Sequence, residues 1–167
     1  MMNTLVDMMK NFEKYKKYIE NINLNNSPVM ITGLTFASKS FFLVSTIASI
    51  IEQNKDKKKD IYYYIVENEI DIYKMREDIE YFAKDLEIEV LDFPKKDIRD
   101  FDIISESIEI YKKRMQVFNR IMQKSENTLK KNVIVILPIE SLMQRIVPYN
   151  VLFKNKIELI KGQDITQ

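Results

Sequence analysis

The chain has no cysteine, no histidine and no tryptophan, and its 167 residues include only two glycines and four prolines. Without Cys or His it cannot build a zinc finger, a Cys–His nucleophile pair, a Ser-His-Asp triad or a thiol redox centre. Two glycines also exclude a dinucleotide loop of the GxGxxG kind, which needs three within six residues. No apolar run reaches the ~18 residues of a membrane span. The opening Met1-Met2-Asn3-Thr4 lacks the basic, apolar and small-residue order of a secretory leader. Neither sign of charge prevails, because 26 basic and 25 acidic side chains leave a formal net charge of +1. Nothing global therefore draws the chain to nucleic acid or anionic lipid. What is present, 46% hydrophobic and 31% charged residues, describes one soluble domain with enough chain to bury a core. The expectation is a cytoplasmic protein with no membrane contact.

Along the chain, apolar residues recur at helical spacing from Leu5 through Met8, Phe12, Tyr15, Ile19 and Ile22, an amphipathic helix with one wet face. Asn23 to Pro28 stops it, and Val29-Met30-Ile31-Thr32 then reads as a short buried strand ending at Gly33. Ser38 to Gln53 is predicted as a mostly buried helix. The run Lys55 to Asp60 is a solvated loop or, less simply, a phosphate-contacting patch. Ile61-Tyr62-Tyr63-Tyr64-Ile65-Val66 has the β-branched and aromatic content of a strand buried on both faces. A helix over Ile70 to Leu86, a strand over Ile88 to Phe93 and a long helix from near Ser105 follow, the last with its Lys and Arg on the wet side. Val133-Ile134-Val135-Ile136-Leu137 is the clearest buried strand. Pro138 opens a short helix to Ile146, and Ile157-Glu158-Leu159-Ile160 is a last strand. Alternating strands and helices predict an α/β fold, a parallel sheet flanked by helices, with its ligand edge at the strand-to-helix turns.

One chemical motif falls at that edge. Gly33-Leu34-Thr35-Phe36-Ala37-Ser38-Lys39-Ser40 resembles the Walker A pattern GxxxxGK[ST]. In a working loop, backbone N–H groups wrap the phosphate, Lys reaches its oxygens and the Ser or Thr hydroxyl binds Mg²⁺. Gly33, Lys39 and Ser40 fit. Ser38 replaces the second glycine and puts a Cβ where backbone and phosphate must approach closely. The best strand also lacks an Asp at its tip to hold Mg²⁺, with Glu140 expected one turn into a helix. Glu67, Glu69 and Asp71 suit the positive first turn of a helix. The loop, with Gly33, Thr35, Ser38, Lys39 and Ser40, is thus a degenerate phosphate loop, and no catalytic or metal-ligating set is assigned.

The second half of the chain carries a family resemblance. Val133-Ile134-Val135-Ile136-Leu137-Pro138-Ile139-Glu140-Ser141-Leu142-Met143-Gln144-Arg145-Ile146-Val147-Pro148, followed by Lys161-Gly162-Gln163, resembles the N-terminal region of the bacterial transcription-repair coupling factor family, Mfd. Gly33-Leu34-Thr35, Phe93-Pro94 and Asp102-Ile103-Ile104-Ser105-Glu106 agree in order, so the resemblance covers about Ser27 to Ile165. It implies a UvrB-like module, an incomplete RecA-like or P-loop NTPase-like subdomain whose nucleotide site has degenerated. It also implies that such a module helps recruit UvrA after stalled RNA polymerase is displaced, with the ATP- and Mg-dependent DNA translocase motor far downstream. On this reading residues 1–26 are an N-terminal helix, 27–160 the UvrB-like subdomain and 161–167 the start of a linker. The chain is then the first piece of a larger protein, needs no cofactor itself, and binds UvrA poorly alone because the main contacts lie in a following β-rich module.

Several residues keep two readings. Gln144 and Arg145 contact a neighbouring module or satisfy a helix end. The tyrosines Tyr62 to Tyr64 pack in the core rather than stack on bases. The nine methionines fill core gaps. The first helix, Leu5 to Ile22, packs on this domain or an adjoining module rather than lying on a membrane surface. The rival to a repair module is a small P-loop nucleotide-binding enzyme, kinase- or GTPase-like, that tolerates Ser38.

Overall fold

The computed structural model describes residues 4–23, 28–54, 56, 58–96 and 107–156. The elements are α1 (Thr4–Met9), α2 (Glu13–Asn23), α3 (Ala37–Gln53), β1 (Ile61–Val66), α4 (Glu69–Ala83), β2 (Ile88–Asp92), α5 (Ile108–Ser125), β3 (Asn132–Pro138), α6 (Ile139–Met143) and α7 (Tyr149–Lys154). The strands form one parallel sheet in the order β1-β3-β2, with Ile61 opposite Val133 and Ile88 opposite Asn132. An α/β fold with a parallel sheet flanked by helices is what the alternation required.

β3 sits at the centre because Val133 to Leu137 are branched and apolar on both faces, and every residue of the strand is buried. Ile134 and Ile136 face a cluster with Val44, Ile47, Ile72 and Ile79 of α3 and α4. Val133, Val135 and Leu137 face Val117 and Phe118 of α5. Each such side chain contributes about 1.5–3 kcal/mol relative to exposure. The chain crosses from β1 past β3 to β2 through α4, then returns to β3 through α5. Crossovers of one hand that run in opposite directions must lie on opposite faces, which is why α4 and α5 sandwich the sheet. Asn68 caps α4 by accepting a hydrogen bond from the Asp71 amide at 3.2 Å; Glu69 and Asp71 fall in its first turn as expected, whereas Glu67 lies before the cap and outside the helix.

The predicted first helix is broken. Lys10 and Asn11 close turns onto Asp7 and Met8, and α2 begins at Glu13. Two short helices can follow α3 where one straight rod could not: Val6, Tyr15 and Ile19 are all buried, the Tyr15 hydroxyl meets Ser49 Oγ at 3.0 Å, and Lys10 pairs with Glu52 at 2.7 Å. Val29 to Thr32 is not a strand. It joins no ladder and Met30 is 88% exposed, because a short apolar run becomes a strand only where an edge pairs with it. β1 is not buried on both faces either. Tyr62, Tyr64 and Val66 join the α3–α4 cluster; on the other side Ile61 packs against the α5 cluster, whereas Tyr63 and Ile65 beyond it stand half exposed.

The described part of the long helix begins at Ile108, and Arg114 lies on its buried side among Val117, Phe118 and Met122. The helix after Pro138 stops at Met143, where Gln144 turns extended. Met75 and Met122 are core residues, but Met8, Met30 and Met143 are exposed, so methionine is not confined to the interior. The predicted strand Ile157–Ile160, the segment Asp102 to Glu106 and the turn Lys161-Gly162-Gln163 lie outside the described residues. No described helix is long and apolar enough to cross a membrane.

Candidate functional site

The loop before α3 opens at Gly33, whose φ of +84° belongs to glycine although a Cβ there would meet nothing within 4 Å. Conformation, not crowding, requires the residue. Phe36 also has positive φ, 46° with ψ −133°, and its side chain is exposed, a strained backbone for an aromatic. The Ser38 hydroxyl accepts from the Thr35 amide at 2.8 Å and donates to the Thr35 carbonyl. The amides of Ser38 and Lys39 donate to Thr35 and Phe36 carbonyls, both at 3.0 Å. Three N–H groups that a phosphate cradle would aim at its ligand are thus spent within the turn. Lys39 is exposed in the first turn of α3. Ser40 is fully buried and donates to Met75 Sδ at 3.5 Å, so the hydroxyl at the Mg²⁺ position faces the core.

The C-terminal edge of the sheet is stitched shut by polar contacts to the chain leaving β2. Ser141 Oγ donates to the Phe93 carbonyl at 3.0 Å, Arg114 donates to the Pro94 carbonyl at 2.7 Å, and the Lys95 amide donates to Glu69 at 3.1 Å. Gln144 accepts from the Lys96 amide at 2.8 Å and donates to the Lys96 carbonyl at 3.0 Å, holding that backbone as a neighbouring strand would. Its side chain is thereby committed inside the fold, while Arg145 beside it is exposed. Lys95 Nζ reaches Glu140 at 2.9 Å. Among the described residues no group of acids is placed to hold a metal ion.

Sequence reasoning missed Arg114, Ser141 and Asp92. Arg114 is 2% exposed and lies 4.0 Å over the Phe93 ring. Its spacing of three and four from Val117 and Phe118 is the signal that puts it on the apolar face. Asp92 ends β2, buried, with Oδ2 at 2.8 Å from Arg76 and 3.6 Å from Lys113 and Oδ1 without a hydrogen-bond partner. Burial lowers the Arg76 pKa, but the Asp92 and Glu80 carboxylates outweigh it and leave the guanidinium raised.

Two surfaces stand open among the described residues. A groove of 1130 Å³ runs between α5 and α7, with Met115, Phe118, Met122 and Leu152 along it and Lys112 and Lys156 among its polar lining. None of Gly33 to Ser40 lines it. From α6 through α7, Leu142, Met143, Ile146, Tyr149, Val151 and Phe153 are all exposed. Exposed apolar residues clustered in one short segment differ from the singly scattered ones common on protein surfaces. No protein-family model, no curated protein and no solved structure matches the chain.

Proposed function

We propose that the chain is a non-catalytic interaction module, the N-terminal UvrB-like part of a cytoplasmic transcription-repair coupling factor. Its fold is then a RecA-like subdomain that has lost its nucleotide site. The parent protein is an ATP-dependent DNA translocase that displaces stalled RNA polymerase and recruits UvrA, and ATP and Mg²⁺ serve its downstream motor. The observation that carries the non-catalytic part is the loop: Ser40 is buried against Met75, and Ser38 is folded back onto Thr35. The family part rests on the residues from Val133 onward that resemble the coupling factor. The exposed apolar face of α6 and α7, with Arg145 in it, suits contact with an adjoining module of the same protein.

Thermal melting with Mg-ATP tests the first part. An unchanged Tm is expected. A rise of several degrees that disappears in Lys39→Ala overturns it in favour of a small P-loop nucleotide-binding enzyme. Reading the gene past Gln167 tests the second part: a β-rich continuation and a helicase motor support it, and an immediate stop codon sinks it.

A further inference from the structure

β1 pairs with β3 on one side, and no described strand pairs with its other side. Directly before α3 the chain carries a segment made for such an edge. Val29-Met30-Ile31-Thr32 is apolar and β-branched, bounded by Pro28 and by the positive-φ Gly33, and stands in solvent without a ladder. Pro28 lacks an N–H, which is tolerated at the first position of an edge strand. The hand of the fold says where that segment belongs. α3 packs beside α4 on the sheet face that holds Ile134 and Ile136. On that face α4 carries the chain from β1 toward β2. A strand feeding α3 by the same right-handed crossover must therefore lie on the side of β1 away from β2, and that is the unpaired edge. The link from Gly33 to Phe36 spans up to roughly 13 Å, enough to pass from the helix layer to the sheet. The unseated form is also costly where it stands, with strained backbone at Phe36 and its ring 89% exposed.

We propose that Val29–Thr32 is a strap that seats as a further parallel strand on the free edge of β1, and that the structure holds its unseated form. Seating gives the order strap-β1-β3-β2 and covers an edge that is otherwise a template for pairing with other chains. It also sets the turn Gly33 to Ser40 at the tip of a strand, so the position of that turn depends on the strap. The inference stands on topology and exposure and is independent of the function proposed above.

The absence of cysteine makes disulfide trapping clean. Tyr63→Cys is combined in one protein with Met30→Cys and in another with Ile31→Cys. Successive strand residues point to opposite faces, so one of these pairs shares a face with residue 63 and the other does not. Under mild oxidation an intramolecular disulfide is expected in one pair at least about ten-fold faster than in the other, since only neighbours on one face meet the distance a disulfide needs. No cross-link in either pair, or equal rates in both, overturns the proposal. So does a cross-link found only between two chains, which gives the edge to a second copy, or faster trapping of Tyr63→Cys by Leu159→Cys, which gives it to the chain after Lys156. Hydrogen exchange on the unsubstituted protein decides if a variant misfolds. The amides of Met30 to Thr32 are expected to exchange at least about ten-fold slower than an unstructured peptide, and exchange at the unstructured rate overturns the strap.

Discussion

The two edges of the sheet are built in opposite ways. At β2 the edge is closed by charge: Asp92 takes Arg76 of α4 and Lys113 of α5, and Glu89 takes Arg120 of α5 through two contacts at 2.7 and 3.0 Å. Helices from both faces thereby grip the same strand, and its charges discourage further pairing. At β1 α5 reaches the entrance, where Lys124 pairs with Asp60 and Ile61 packs against the α5 cluster, while Tyr63 and Ile65 further along that face meet solvent. The difference follows from where the crossovers run. Both α4 and α5 connect through β2, so both can contribute side chains along it, whereas α5, which runs from β2 to β3, reaches the β1 side near Asp60 and Ile61. Among the described residues, one edge is gripped by charged pairs from the helices on both faces, and the other is not.

Both edges hang from β3, so the largest expected effect is there. Ile136→Ala, at a fully buried site, is expected to cost about 2–5 kcal/mol in urea unfolding. A loss below about 1 kcal/mol would mean that the centre of the sheet is not packed as described. Asp92→Ala strikes the closed edge. Removing one partner of a fully buried pair costs about 3–5 kcal/mol, but the Arg76 side chain is 34% exposed and water reclaims much of its charge. About 1–2 kcal/mol is the expected loss after that discount. A double-mutant cycle with Arg76→Met isolates the pair, and zero coupling would remove the electrostatic half of the contrast between edges.

The open edge has a signature in alkali. Burial, with the Asp60 carboxylate adding to it, pushes the Tyr62 phenol from 10.0 up to about 12. Burial raises Tyr15, Tyr63 and Tyr64 as well. The folded state therefore favours the neutral phenol, and the unfolded chain ionises first as pH rises. The stabilisation is complete below pH 10 and is lost as pH climbs toward about 12. Tyr62→Phe is expected to flatten this alkaline decline in a pH series of urea melts. An unchanged slope would show that the Tyr62 ring is solvated, and that β1 is open on both faces.

How much of this was legible in the sequence follows from what a pattern encodes. The run Val133 to Leu137 announced a central strand because nothing polar interrupts it, and α3, α4 and α5 announced themselves by period. Periodicity says which residues share a face, but not whether anything covers that face. That is why Tyr63 and Ile65 read as core, and why Val29 to Thr32 read as a paired strand. The break at Lys10 to Phe12 was hidden because the apolar spacing runs straight through it, and only the surface of α3 explains the bend. At the candidate loop, spacing identified Gly33, Lys39 and Ser40, yet the burial of Ser40 depends on Met75, thirty-five residues away in sequence. Arg114 was assigned by its charge to the wet side, although its position in the helix argued otherwise.

The smallest effect is expected where the open edge faces water. Ile65→Thr keeps a β-branched shape suited to a strand and removes apolar surface that is already 51% exposed. Little transfer free energy is lost with it, and a surface change of this kind shifts stability within about 0.5 kcal/mol. Retention of the folded protein in hydrophobic-interaction chromatography, or its tendency to associate at high concentration, should fall even so, because the patch that Ile65 forms with Tyr63 shrinks. Leu91→Thr, the matched change in β2, replaces a side chain held at 9% exposure against Phe118 and its neighbours and is expected to cost several times more. Equal costs at the two sites would mean that something covers β1 in solution. The two edges would then differ only in what covers them, charge at β2 and an apolar contact at β1.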